Sequence, residues 1–182
     1  MNDRDSRIID PMDASHPELG RWLWAMEDTR ARTKQAVSGL DQAGLDWAGP
    51  GVENSIGSLL YHIALIESAY LYGDILGGEY PAWLDQPDAF AIPDRDESGH
   101  LSVVTGVSLD AHLARLDRVR GEFLRLVAPL TAEELATSRY FAEEDYDVSP
   151  AWVLHHLMQH EAEHRGQITA IRTLWEQTNQ IG

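Results

Sequence analysis

With 182 residues, 43% of them apolar, and six tryptophans and six tyrosines, the chain has the length and composition of one globular domain and not of a disordered polymer. Its formal charge of -16 repels phosphate backbones, and Arg30 to Lys34 and Arg115 to Arg125 read as ordinary helical charges and not a basic patch, so nucleic acid is excluded as a partner. No apolar run approaches the ~18 residues of a membrane span, Met1 to Asp13 is too polar for a signal peptide, and the absence of cysteine removes disulfides, thiolate ligands and cysteine nucleophiles, leaving a cytoplasmic protein as the expectation.

Residues 1–16 read as a loose arm that packs through Ile8 and Ile9, ahead of a domain over 17–178. From His16-Pro17 a helical stripe runs through Leu19, Trp22, Leu23, Met26, Thr29, Thr33, Ala36, Val37 and Leu40, with Pro17 in the first turn and Gly39 at the end. Gly44, Gly49-Pro50-Gly51 and Asn54 mark a connector. Ser55 caps a second helix that reaches Gly77-Gly78, with His62 on the flank of its apolar face. Residues 78–107, rich in proline and glycine but carrying Tyr80, Trp83 and Phe90, form a long packed crossover, with a short extended piece at Leu101 to Val104. Ser108 caps a third helix that buries Leu109, Leu113, Leu116, Val119, Phe123, Leu126 and Val127. Thr131 to Glu134 has the capping-box pattern of a short helical turn, and a loop with the acidic run Glu143-Glu144-Asp145 leads to Ser149-Pro150. There the fourth helix starts.

Four long helices and no sheet make an all-α four-helix bundle. The long crossover between the second and third helices allows these two to run parallel, which a tight hairpin would forbid.

The fourth helix holds four of the chain's eight histidines within the seventeen residues Trp152 to Ile168. His156, His160 and His164 step down one side of it with about 40° of drift per step, while His155 points about 100° away and is exposed. His160 and His164, one turn apart, can share one metal ion. Bundle cores are where facing helices build metal sites, so His62 supplies the third ligand. His62, His160 and His164 then form a three-histidine site with positions left open, the catalytic arrangement of metal ligands and not the closed structural one.

Two other metal chemistries share parts of this pattern. His160-Glu161-Ala162-Glu163-His164 matches H-E-x-x-H, the zinc-peptidase helix in which Glu161 would be the general base. Only 18 residues follow His164, none a histidine, and no sheet edge is present to hold a peptide. A di-iron carboxylate bundle needs two Glu-x-x-His pairs and two more glutamates. Glu161 with His164 supplies one pair, Glu97 with His100 lies in a loop, and helices one to three offer no inward glutamate.

The segments Asn54 to Glu67 and His156 to Ile168, in this order and at this separation, resemble the DinB/YfiT-like metalloenzymes over about residues 17–176. The resemblance implies an up-down-down-up bundle and a mid-bundle divalent ion, often nickel or zinc, on His62, His160 and His164. It implies a homodimer and a metal-dependent transferase of a low-molecular-weight thiol, such as bacillithiol or mycothiol, to an electrophilic small molecule, or the related maleylpyruvate isomerase. Sulfur chemistry of this kind suits a chain without cysteine, because a metal favours the thiolate of a bound thiol. The alternative is a non-enzymatic bundle, a metal-stabilised stress or ligand-binding protein. Around the ligands, Gln159, Glu161 and Glu163 are candidates to hydrogen-bond imidazole nitrogens, His156 to touch substrate, and Arg165 to pair with Glu161 or a substrate carboxylate. Trp152 and Tyr61 read as core. Gly166 costs a helix about 1 kcal/mol against alanine, which points to close approach of another helix or subunit.

Overall fold

The computed structural model describes residues 7–78, 80–141 and 145–179. Four long helices carry the chain: α1 (Pro17–Val37), α2 (Ile56–Ala69), α3 (Leu109–Val127) and α4 (Pro150–Asn179). The serine caps stand where the sequence marks them. Ser55 and Ser108 accept from the backbone N–H of Ser58 and Ala111, and Ser149 accepts from Trp152, each satisfying a donor the helix itself cannot. α2 continues into a π-helical turn, Tyr70–Ile75, and the chain leaves it through Gly77 and Gly78 at φ 89° and 96°, a region that side chains rarely adopt.

Residue pairings set the helix directions. Trp22, Arg30 and Ala36 of α1 meet His155, Glu161 and Arg172 of α4, rising together, so these helices are parallel. Tyr61 and Glu67 of α2 likewise meet Arg115 and Arg120 of α3 in rising order. Met26 and Arg30 meet Arg120 and Leu116 in opposite order, as do His62 and Tyr70 with His160 and His156. The order is therefore up-down-down-up. The crossover makes the parallel α2–α3 pair possible, and it is packed, with a 3-10 turn Ala82–Asp85, a helical turn Pro87–Phe90 and a bridge between Arg95 and Leu101. The Tyr61 hydroxyl donates to the Ile92 carbonyl at 2.5 Å and accepts from the Ile92 N–H at 2.9 Å, and Arg115 donates to the Ala89 carbonyl at 2.7 Å.

Three local expectations need correction. The loop before α4 holds a two-stranded hairpin, Arg139–Phe141 paired with Tyr146–Val148, too short to show an alternating pattern; Glu143 and Glu144 lie outside the described residues. Ile8 and Ile9 are exposed, at 68% and 53%. The arm packs instead through Met12 and Ala14, and the Met12 N–H donates to the Gly20 carbonyl at 3.1 Å. A Cβ on Gly20 would stand 2.4 Å from the Met12 carbonyl oxygen, so this contact requires glycine. On α3, Leu109, Leu113 and Leu126 are only partly buried, while His112, Arg115 and Arg120 face inward.

The apolar core has two parts. One cluster joins Leu19, Leu23 and Met26 to Phe123, Val127, Val153, Leu154 and Leu157. The other joins Val37 and Ile56 to Ile63 with Leu116, Val119, Ile168 and Ile171. A polar layer lies between them. Arg30 of α1, Glu67 of α2, Arg120 of α3 and Glu161 of α4 meet there, each at most 4% exposed. Arg30 donates to Glu161 at 2.8 and 3.2 Å, to Glu67, and to the Leu116 carbonyl at 2.8 Å. Arg120 donates to Glu67 at 2.6 and 3.1 Å, to Glu161 at 3.3 Å, and to the Met26 carbonyl at 2.8 Å. Arg30 and Arg120 are thus core groups and not the surface charges their sequence neighbours suggest. Glu67 is an inward glutamate where none was expected.

Candidate metal centre

The polar layer extends sideways into a histidine cluster. His62 sits mid-α2 and is 4% exposed, while His160 and His164 lie one turn apart on α4 and are half-buried. The Nε2 of His160 is 3.0 Å from Nε2 of His62 and 3.1 Å from Nε2 of His164, and one ligand atom from each ring lies within 4.8 Å of the others. The sequence brings these three residues forward, and the fold brings them together.

The donor set can be tested against a metal ion from the rings' outer nitrogens. His62 Nδ1 faces Asp94 Oδ1 at 2.5 Å, and His164 Nδ1 faces Gln167 Oε1 at 2.9 Å. Both partners are acceptors, so both Nδ1 atoms carry the proton and both Nε2 atoms present lone pairs. Burial, reinforced by His164 and His62, holds His160 down to about 3. Burial also lowers His62, against the opposing pull of Asp94. Both shifts favour the neutral imidazole that a metal ion requires of a histidine ligand. The Nε2 atoms of His62 and His164 each lie about 3 Å from that of His160, and such separations suit nitrogens that share an ion at about 2.0–2.1 Å. The residues fit a divalent metal.

Asp94 is the partner that sequence reasoning missed. It lies in the crossover, 32 residues from His62, where no periodicity marks an inward position. A carboxylate behind a histidine fixes its tautomer and orientation. Asp94→Asn is therefore expected to weaken metal binding about 10–100-fold with the fold intact, measured by equilibrium competition against a chromophoric chelator. An unchanged affinity would remove Asp94 from the site. Gln167 had a readable signal, being one helical turn after His164.

The other expected partners are elsewhere. The Glu161 carboxylate is held by Arg30 and Arg120, and Gln159 and Glu163 are exposed. Glu161 is accordingly not placed as the base of an H-E-x-x-H site, and Glu67 and Glu161 are bound by arginines and not held as di-iron ligands. Arg165 donates to the Thr29 carbonyl at 3.3 Å and not to Glu161. His155 is exposed at the edge of Trp22. Among the described residues nothing lies within 4 Å of a Cβ placed on Gly166, so no neighbouring helix of this chain explains that glycine. Tyr61 is core, but Trp152 is 47% exposed. Its indole stacks on His156 at 4.8 Å and 7°, and His156 in turn lies 5.9 Å from His160, ring to ring.

Two cavities lie along α4, and none of the three clustered histidines lines either of them. One of about 260 Å³ is lined by Val52, Glu53, Leu59, Gln167, Ile171 and Leu174, next to the partner of His164. The other, of about 280 Å³, lies between the hairpin and α4, against Tyr70, Tyr146, Val148 and Trp152. No helix among the described residues is long and apolar enough to cross a membrane.

Comparison with known proteins agrees with this architecture. YfiT from Bacillus subtilis, described as a probable metal-dependent hydrolase with an unusual four-helix bundle topology, superposes with a TM-score of 0.59 at 18% identity, covering 92% of this chain and 93% of that one. A conserved protein of Enterococcus faecalis, known from its crystal structure, superposes with a TM-score of 0.67 at 16% identity, covering 84% of this chain and 94% of that one. At these identities the likeness shows the fold alone. No curated protein matches the chain. The family model of the DinB superfamily matches residues 25–168. The chain belongs to the DinB superfamily.

Proposed function

We propose that this protein is a divalent-metal-dependent transferase that joins a low-molecular-weight thiol through its sulfur to the carbon of an electrophilic small molecule, the thiol losing its proton and the electrophile its leaving group, with nickel or zinc held by His62, His160 and His164. The observation that carries the reading is the convergence of three imidazoles from two helices, a three-ligand set that would leave coordination positions for exchangeable groups. An ion there would supply Lewis acidity, lowering the pKa of a bound water to about 7 and deprotonating a bound thiol outright.

The surrounding residues favour sulfur over water. Hydrolysis in an H-E-x-x-H site relies on the glutamate as general base, and Glu161 is engaged by two guanidiniums. A thiol, with an ordinary pKa near 8.5 against about 15.7 for water, needs far less help to lose its proton. The rings of Trp152 and Tyr70 offer flat apolar surface to an electrophile.

Likeness to YfiT favours metal-dependent hydrolysis as the second reading. One experiment separates them: nickel- or zinc-loaded protein is given 2-mercaptoethanol, cysteamine or cysteine with a chloronitrobenzene, and separately an activated ester without thiol. Metal-dependent thioether formation is the expected result. Metal-dependent ester cleavage alone would replace this reading with hydrolysis, and a folded, metal-loaded but inert protein would favour the non-enzymatic bundle.

A further inference from the structure

Arg30, Glu67, Arg120 and Glu161 are placed in a way that core stability alone does not require. The two glutamates come from α2 and α4, the helices that carry the clustered histidines His62, His160 and His164, and the two arginines from α1 and α3, which contribute no residue to that cluster. Each guanidinium contacts both carboxylates. α2 and α4 are thereby joined through two bridging cations, and Glu161 is the residue directly after His160. The glutamate of the apparent peptidase motif thus has an assignment of its own.

We infer that this four-helix charge layer is a positioning device for the histidine cluster, locking the rotation and height of α4 against α2 so that His160 and His164 face His62. The inference rests on the metal reading above. Its physical basis is a difference in directionality. Apolar burial in the two flanking clusters is non-directional and tolerates small rotations, whereas guanidinium–carboxylate hydrogen bonds hold fixed angles. An atom about 5–6 Å from a helix axis moves roughly 2 Å on a 20° rotation. Metal–ligand distances tolerate only about ±0.2 Å. Hydrophobic packing is therefore too permissive to set the site, and the charge layer, at the same level of the bundle, is not. Buried ion networks are poor sources of net stability and have their best-attested use in fixing register, which matches this role.

The test separates positioning from stability. Cobalt(II) is the probe, read by equilibrium competition and by its visible ligand-field spectrum, in wild type, Glu161→Gln, and a fourfold apolar replacement (Arg30→Met, Glu67→Leu, Arg120→Met, Glu161→Leu). Leu135→Ala, a truncation in the apolar cluster at a residue with no side-chain bond to the layer or the histidines, is the stability control. Glu161→Gln and the folded apolar variant are expected to bind cobalt about tenfold or more weakly, within the range for losing an outer support of a ligand, with an altered spectrum. Leu135→Ala should lower the melting temperature and leave the spectrum unchanged. Wild-type affinity and spectrum in either layer variant, or equal weakening in Leu135→Ala, would overturn the inference while leaving the metal reading intact. Absence of cobalt binding in the wild type would sink both. If the fourfold variant does not fold, Glu161→Gln decides alone, since glutamine keeps the shape of the side chain while removing its charge and turning one acceptor oxygen into a donor that faces the guanidiniums.

Discussion

His160→Ala is expected to abolish stoichiometric metal binding and, with it, thiol transfer. The Nε2 atom of His160 is the hub of the cluster, 3.0 Å from His62 and 3.1 Å from His164. Without it, His62 and His164 sit on different helices with no donor between them. The loss should exceed the ~10–100-fold that attends removal of an outer partner, because a donor itself is gone. The helix should survive the change. His160 is half-buried, and alanine is the better helix former by a few tenths of a kcal/mol. Elemental mass spectrometry of the untagged protein reads the outcome beside circular dichroism. About one nickel or zinc per chain in the wild type is expected, near zero in His160→Ala and in His62→Ala, and wild-type content in His155→Ala, whose side chain is exposed and off the cluster. Stoichiometric metal in His160→Ala would place the ion elsewhere and end the three-histidine reading.

Arg120→Ala should cost about 3–5 kcal/mol of folding stability, the range for stripping one partner from a buried charge pair. The substitution leaves Glu67 with Arg30 alone and removes the side-chain donor to the Met26 carbonyl at 2.8 Å. Urea unfolding at constant m-value measures it. The effect should depend on pH in a defined direction. Burial raises the Glu67 carboxyl, but Arg120 and then Arg30 more than offset this and hold it below the usual glutamate range. A carboxylate depressed in the folded state contributes stability that is complete above its unfolded pKa. That contribution is lost as pH falls through the folded one. The gap between wild type and Arg120→Ala should thus be full near neutrality and narrow in acid. A cost under about 1 kcal/mol at pH 7, the size of a surface pair, would mean that the layer is solvated.

The charge layer was partly visible before folding. On α1, Leu19, Leu23, Met26, Arg30, Thr33 and Val37 recur at alternating intervals of four and three, and on α4 so do Leu157, Glu161, His164, Ile168 and Ile171. Arg30 and Glu161 occupy positions where the seam calls for an apolar side chain. Read one helix at a time, a charge in such a seam looks like a solvated flank, because the opposite charge that makes burial tolerable lies up to 131 residues away.

The helix starts, the long crossover and the histidine spacing are properties of neighbours along the chain. A serine caps the third N–H after it, and an imidazole reaches the next turn, whatever the rest of the molecule does. Those features, and through them the bundle and the three histidines, were legible residue by residue. Asp94 behind His62, the arginines around Glu161 and the exposure of Trp152 belong to a different level. Each depends on which surfaces of distant segments meet when α2 and α3 are laid parallel, and no local hydrogen bond or period records that meeting. A buried charge or a coordinating ring acquires its meaning from partners across the core, and only the packed bundle supplies them.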